Sequence, residues 1–282
     1  MPELPEVETV RRYLFNNIID WKIIDFKVSN LKSLRNVDIK EFKQIINQKI
    51  KNMNRLAKHL IFELENNYFI CHLRMEGKFF IFKNEEEMNK FTNRFHDVLI
   101  IYTDKGIILF QDTRRFATID FFSNKLSYEN NPILSEIGRE PFNANAEEIY
   151  NKLSKKRIAI KTALLDQKII SGLGNIYVDE VLYDVKLHPQ TPSNQIDLNK
   201  VIEIIDSAKR ILLKAIELKG TTIRSYTSSL GVEGEYQKFL KVHQKKNYIC
   251  QRDNQKIIKI KVGGRVTYFC PGCQKLQEKT KI

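Results

Sequence analysis

Hydrophobic spacing divides the chain into two halves of different period. Near the start, Val7, Val10, Leu14 and Ile18 fall on one face of a helix predicted from about Pro5 to Ile19. Short apolar or alternating runs follow at 23–28, 60–64, 68–73, 78–82, 98–102, 107–110 and 118–122, separated by turn residues. Asn66-Asn67 and Asp104-Lys105-Gly106 are predicted hairpin turns. This half predicts a β-sandwich or barrel-like sheet with the first helix laid against it. Residues 129–145, which hold Pro132, Gly138, Pro141 and several asparagines, have linker composition.

Beyond that linker the period becomes helical. Helices are predicted at 146–153 and 158–167, and again at 175–185 after the turn Ser171-Gly172-Leu173-Gly174. A long amphipathic helix spans 197–218, with Asp197 as its N-cap and Gly220 as its stop. Residues 225–235 read as a Ser/Gly-rich loop, and a small hairpin surrounds the last cysteines. The predicted class is α+β: a helix on a two-sheet β-sandwich, then a helical domain, then a β-hairpin. Its boundaries are 1–130 for the sandwich, 131–145 for the linker, 146–240 for the helical domain and 241–282 for the hairpin.

Composition adds a partner class. With 47 Lys and Arg against 34 Asp and Glu, the net charge is +13. Such an excess favours polyanions, because each phosphate neutralised releases counterions. An AT-rich coding bias also raises lysine, so charge alone does not assign nucleic-acid binding. No apolar run reaches the roughly 18–20 residues needed to span a bilayer. The acidic start Met1-Pro2-Glu3-Leu4-Pro5-Glu6 lacks the layout of a secretory signal, so the expected compartment is cytoplasmic, with no membrane partner. Cys71 lies in an apolar run and reads as a core thiol. Cys250, Cys270 and Cys273 crowd the C-terminus, and in a reducing compartment that spacing favours a metal site over a disulfide.

The first residues also carry candidate chemistry. An α-amine titrates near ~8, well below lysine at ~10.4, so a fraction is neutral and nucleophilic at physiological pH. A secondary amine attacking a sugar C1′ forms a permanently charged iminium, an electron sink that eases elimination of the 3′ phosphate. Glu3 and Glu6 lie close enough in sequence to serve that terminus as acids, although Pro5 and these carboxylates also suit an ordinary helix start. The run Pro2-Glu3-Leu4-Pro5-Glu6-Val7-Glu8 closely resembles the N-terminus of the formamidopyrimidine-DNA glycosylase family, and Leu4 favours its purine-lesion branch over the endonuclease VIII-type branch.

The resemblance extends through most of the chain. Asn54-Arg55-Leu56-Ala57-Lys58-His59-Leu60 resembles the segment carrying a catalytic lysine, which places that role on Lys58. His72-Leu73-Arg74-Met75-Glu76-Gly77 matches the loop with a methionine wedge. Asp112-Thr113-Arg114-Arg115-Phe116 resembles an Asp-Pro-Arg-Arg-Phe stretch, with Thr113 in place of proline. The resemblance thus implies DNA contacts at His72, Met75, Arg114 and Phe116, since chemistry on a base inside a duplex requires its extrusion. Glu76 and Arg224 would face the extruded base. His96 matches a DNA-contact segment more loosely. Lys156, in a basic run taken to open a helix, matches a phosphate contact, although such runs are usually solvated faces. Ile169-Ile170-Ser171-Gly172-Leu173-Gly174-Asn175 resembles the family's helix–two-turn–helix element, with Asn175 on backbone phosphate.

At the C-terminus the family pattern C-x2-C-x16-C-x2-C reads Cys250, Asp253, Cys270, Cys273 here. Zinc accepts a carboxylate oxygen at ~2.0–2.2 Å, so three thiolates and Asp253 remain a feasible ligand set for one structural Zn²⁺. A hairpin held by packing alone is the rival reading. Arg265 matches the finger arginine that grips phosphate and assists the last elimination. The expectation is a monomeric enzyme acting on damaged double-stranded DNA. It would use Pro2 as nucleophile, Glu3 and Glu6 as carboxylates, and Lys58 and Arg265 in elimination, with no organic cofactor. The alternatives are an oxidised-pyrimidine glycosylase and a non-catalytic DNA-binding relative.

Overall fold

A computed structural model describes residues 1–90, 94–123, 131–221 and 234–276. The chain divides into two compact units, 1–134 with 218–235, and 135–217 with 236–282. Residues 218–235, which lie wholly inside the helical domain expected at 146–240, group with the first unit. No described helix is long and apolar enough to cross a membrane.

In the first unit, helix α1 (Leu4–Ile18) buries Leu4, Val7, Val10, Leu14 and Ile18, the apolar stripe read from the sequence. Two antiparallel sheets follow. One has the order β1 (Ile23–Val28), β6 (Asp97–Thr103), β7 (Ile107–Gln111), β5 (Lys78–Phe82). The other runs β2 (Ile50–Leu56), β3 (His59–Leu64), β4 (Tyr68–His72), β8 (Thr118–Phe122). Their inner faces share one core. Phe62 stacks on Phe69 and Phe79 on Phe110, each at 4.4 Å, while Phe62 meets Phe79 across the two sheets at 5.5 Å. This is the predicted sandwich, its helix packed on β2 and β3.

Helices α2 (Ile39–Phe42) and α3 (Glu85–Lys90) were not anticipated, nor was β2. In β2 only Ile50 and Met53 are buried, so its polar residues hide the period and its pairing with β3 defines it.

In the second unit, α4 (Ala146–Ser154) and α7 (Leu198–Glu217) are capped as their sequences require. Asn145 Oδ1 accepts from Glu148 N at 2.9 Å, and Asp197 Oδ1 from Lys200 N at 2.7 Å. After α7, Lys219 takes a left-handed conformation (φ 59°) before Gly220 (φ 76°), so two residues rather than Gly220 alone turn the chain away. Helix α5 (Ile160–Leu165) is shorter than predicted, and most of the basic run 155–161 links α4 to α5, with Ile160 and Lys161 alone lying in the helix. Between α5 and α6 (Asn175–Asp184), Gln167 organises the two-turn connection. Its amide donates to Leu173 O at 2.9 Å and accepts from Gly172 N at 3.0 Å. The chain then forms the hairpin of β9 (Ile258–Val262) and β10 (Arg265–Phe269), turned by Gly263 and Gly264, both at positive φ.

Candidate active site and metal cluster

The start of α1 is built around Glu6. Its carboxylate is buried and accepts hydrogen bonds from Glu3 N at 2.9 Å, Thr221 N at 2.8 Å and Thr221 Oγ1 at 3.0 Å. One side chain thereby fixes the backbone of Glu3 and ties residues 220–221 to the chain start. Pro2 and Glu3 are buried as well. Burial is the main influence on the Met1 amine and lowers its pKa; Glu3, Glu6 and Glu76 oppose the shift, and Lys58 adds to it. Pro2 N is a peptide nitrogen while Met1 is attached, and removal of Met1 converts it to a secondary amine.

Lys58 sits in the two-residue turn Ala57-Lys58 joining β2 to β3, and is only 4% exposed. Arg55 braces that turn, donating to Ala57 O at 2.9 Å and to Glu8 Oε2 at 3.0 Å. Glu8 also receives Arg11 and Arg12, so one carboxylate on α1 gathers three guanidinium groups. Burial would raise the Glu8 pKa, but the hydrogen bonds from Arg11, Arg12 and Arg55 overcome it and hold the carboxyl down to about 2. The sequence reading gave Glu8 no role, since its partner Arg55 lies 47 residues away.

Met75 stands in the turn between β4 and β5, closed by Gly77 N donating to Leu73 O at 2.8 Å. A Cβ on Gly77 would lie 2.6 Å from that carbonyl, so only glycine fits. Glu76 accepts a hydrogen bond from Thr113 Oγ1. Thr113, which stands where the resembled stretch has proline, therefore links the Met75 turn to the Arg114 loop.

Asp112 shapes that loop. Fully buried, it accepts from Arg114 N at 3.0 Å and from Phe116 N and Ala117 N at 2.7 Å each. The Arg114 guanidinium lies 5.2 Å from the exposed Phe116 ring. Asp112 is a second residue that sequence reasoning passed over, although an aspartate opening a loop is a turn signal. His96 is half-buried, and its Nδ1 lacks a hydrogen-bond partner among the described residues. Its neighbour Phe95 is 73% exposed beneath Arg115, 4.5 Å from the ring centre. Arg224 lies outside the described residues.

In the second unit, Lys156 pairs with Asp166 at 3.3 Å. Asn175 donates through Nδ2 to Val266 O at 3.0 Å. The same carbonyl accepts Lys161 Nζ at 3.1 Å, and Lys161, fully buried, pairs with Asp179 at 2.6 Å. Asp179 also meets His243 Nδ1 at 2.8 Å. Lys161 is thus the exception in its basic run, a core cation rather than a solvated one. Arg265, exposed, follows the Gly263-Gly264 turn and directly precedes the braced Val266.

Cys250, Asp253, Cys270 and Cys273 converge, with ligand atoms all within 4.8 Å of one another. Cys250 Sγ is 3.6 Å from Cys273 Sγ, and Cys270 Sγ lies 3.1 Å from Asp253 Oδ2. Tetrahedral zinc with sulfur ligands at ~2.3 Å has edges of about 3.8 Å, so the cluster is of metal-binding size. Gly272 leaves space beside the Asp253 carboxylate that a Cβ would fill. The backbone amides of Arg252 and Cys273 point at Cys250 and Cys270 sulfurs, each at 3.5 Å. Thiolates, a carboxylate and supporting N–H donors together fit a divalent metal such as zinc.

Two family models match the chain, the formamidopyrimidine-DNA glycosylase N-terminal domain over residues 1–119 and its H2TH domain over 137–227. The chain is 42% identical over 283 residues to the formamidopyrimidine-DNA glycosylase of Mycoplasmopsis pulmonis, covering 99% of each protein. It is also 42% identical over 282 residues to that of Streptococcus mutans, covering 98% of this chain and all of the relative. Among solved structures it resembles a Lactococcus lactis FPG mutant in complex with Fapy-dG-containing DNA (TM-score 0.89, 37% identity). It resembles MutM in complex with carbocyclic 8-oxo-G-containing DNA as well (TM-score 0.87, 36% identity). Each alignment covers 97% of this chain and all of the other.

Proposed function

This chain belongs to the formamidopyrimidine-DNA glycosylase family, and we propose that it excises oxidised purines from duplex DNA and then nicks the abasic strand. The observation that supports this reading most is the built surrounding of the chain start. Glu6 pins the Glu3 backbone beside the site where removal of Met1 frees a secondary amine, and Lys58 is buried within electrostatic reach.

In the proposed reaction Pro2 N attacks C1′ of the damaged nucleotide and loses its proton. The C1′–base and C1′–O4′ bonds both break, Glu3 protonating the ring oxygen or the departing base, and the nitrogen lone pair closes the C1′=N iminium as the sugar ring opens. The resulting iminium draws electrons from C2′, and loss of a proton there expels the 3′ phosphate. Lys58 supports that elimination, and Arg265 the following one at the 5′ side. Glu6 acts through Glu3 as a positioning residue. Met75, Arg114 and Phe116 would hold the duplex open, with the Thr113–Glu76 link keeping their two loops in register. His72, Lys156 and Asn175 would take backbone phosphate, and Glu76 and Arg224 would face the base.

Zinc held by Cys250, Asp253, Cys270 and Cys273 would supply structural cohesion to the hairpin base, with no part in the chemistry.

Borohydride reduction in the presence of an 8-oxoguanine duplex tests the reading. Chain lacking Met1, verified by intact mass, should give a covalent protein–DNA adduct, and chain retaining Met1 should not. No adduct from correctly processed protein overturns the mechanism. Faster cleavage of oxidised pyrimidine than of oxidised purine duplexes would reassign the substrate.

A further inference from the structure

His59 opens β3 and His72 closes β4, and the two are register partners across the strand pair. Their rings meet edge to face, with centroids 4.6 Å apart at 89°. Beyond β4 the chain turns through Arg74, whose φ of 53° brings its backbone N–H onto His72 Nδ1 at 2.9 Å. A backbone amide only donates. Nδ1 must therefore carry the lone pair, and in the neutral ring the proton sits on Nε2. His59 Nδ1, in turn, is buried and has no hydrogen-bond partner among the described residues.

From this geometry we infer that His59 is a positioning residue. Its ring walls His72 on one side while the Arg74 amide fixes the other, holding His72 as a neutral imidazole that donates from Nε2. The inference rests on the reading of His72 as a phosphate contact. It adds that the contact is an uncharged, tautomer-locked donor.

The surroundings agree. Arg74 from the turn, Arg35 from the segment beside β8, and Lys58 from the β2–β3 turn all face the pair, and Asp120 on β8 is the acidic group near them, paired to Arg35. Burial is the main cause that lowers both histidines. His59 falls to about 4, and His72 is also pushed down by His59, Arg74, Lys58 and Arg35. A proton added to either ring would join a cationic group in partly dehydrated surroundings.

Imidazole ¹⁵N NMR on the whole chain, selectively labelled at histidine, provides the test, paired with Kd measurements on a duplex bearing a tetrahydrofuran abasic analogue. The parent should show His72 as the Nε2–H tautomer with no titration between pH 5.5 and 8. His59→Ala should release the ring, giving mixed tautomers, a titration inside that window and about tenfold weaker binding at pH 7.5. His59→Phe keeps the wall and should restore the tautomer and most of the affinity, which separates positioning from loss of fold. A parent His72 that titrates near 6.5 or carries its proton on Nδ1 overturns the inference. So does a folded His59→Ala whose His72 signals are unchanged. The NMR readout needs no DNA, so failure of the borohydride experiment leaves it standing. Conversely, a trapped adduct with a freely titrating His72 sinks this inference alone.

Discussion

Alanine at Gly220 would place a methyl carbon 2.6 Å from Glu6 Oε1 and 3.0 Å from Glu6 Cδ and Cγ. A carboxylate end is normally easy to displace, but this one is held by Glu3 N and by both donors of Thr221. Moving it loses at least one hydrogen bond to a charged group, worth about 1.5–3 kcal/mol. The φ of 76° adds about 1 kcal/mol for a residue bearing Cβ. The sum is about 3 kcal/mol, which for a unit of this size lowers the unfolding midpoint by about 6–12 °C. Differential scanning calorimetry measures the first effect and borohydride trapping the second, because Glu3 loses its anchor together with Glu6. Glu6→Gln should shift both in the same direction, since an amide cannot accept from the Glu3 and Thr221 sides at once. A Gly220→Ala chain that unfolds and traps like the parent would refute the role given to Glu6.

Lys161→Met should destabilise the second unit by about 3 kcal/mol in chemical denaturation, because it takes the lysine cation from the buried Asp179 carboxylate and leaves His243 and the Tyr268 amide on it; Lys161→Met with Asp179→Leu should recover part of that loss. For Glu8 the folded pKa of about 2 lies below its ordinary value near 4.5, so its contribution is present above pH ~4.5 and is lost as pH falls toward 2. Stability measured across that range should decline less steeply in Glu8→Gln than in the parent. Asp253→Ala should lower bound zinc and speed its loss to a chelator, whereas Asp253→Cys should slow that loss, both read by metal analysis. Thr113→Val, which removes the hydroxyl donated to Glu76, should weaken binding to lesion duplex by roughly threefold, about 0.7 kcal/mol, with the unfolding midpoint unchanged.

What the sequence made legible follows from how local the cause is. Strands β1, β5 and β8 were readable to their ends, and helix α1 to within a residue at each end, because their apolar positions lie a fixed few residues apart. Strand β2 was not, since Lys51, Asn52, Asn54 and Arg55 occupy its exposed positions and only pairing with β3 makes it a strand. Pro2, Glu3 and Lys58 were nominated by motif, and periodicity would have passed over all three. Glu8 and Lys161 were invisible for another reason. Each is a charge whose burial depends on partners remote in sequence, Arg55 for Glu8 and Asp179 for Lys161, and no local pattern records such a pairing.

The same distinction explains how the hairpin accommodates Asp253 among three cysteines. The segment carrying Arg265 is fixed on both flanks without recourse to the cluster. Gly263 packs directly on Thr162, and Val266 O accepts from Lys161 and Asn175. The cluster begins at Cys270, at the far end of β10, about 17 Å of extended chain from Arg265. A ligand change there perturbs the loops 250–257 and 270–276 that the cluster knits together, while the arginine keeps braces made of a buried ion pair and an amide. Two independent anchors at opposite ends of one short hairpin separate the ligand chemistry of the cluster from the placement of Arg265. Lys161 and Asn175 have no such separation from it, because each must reach one carbonyl.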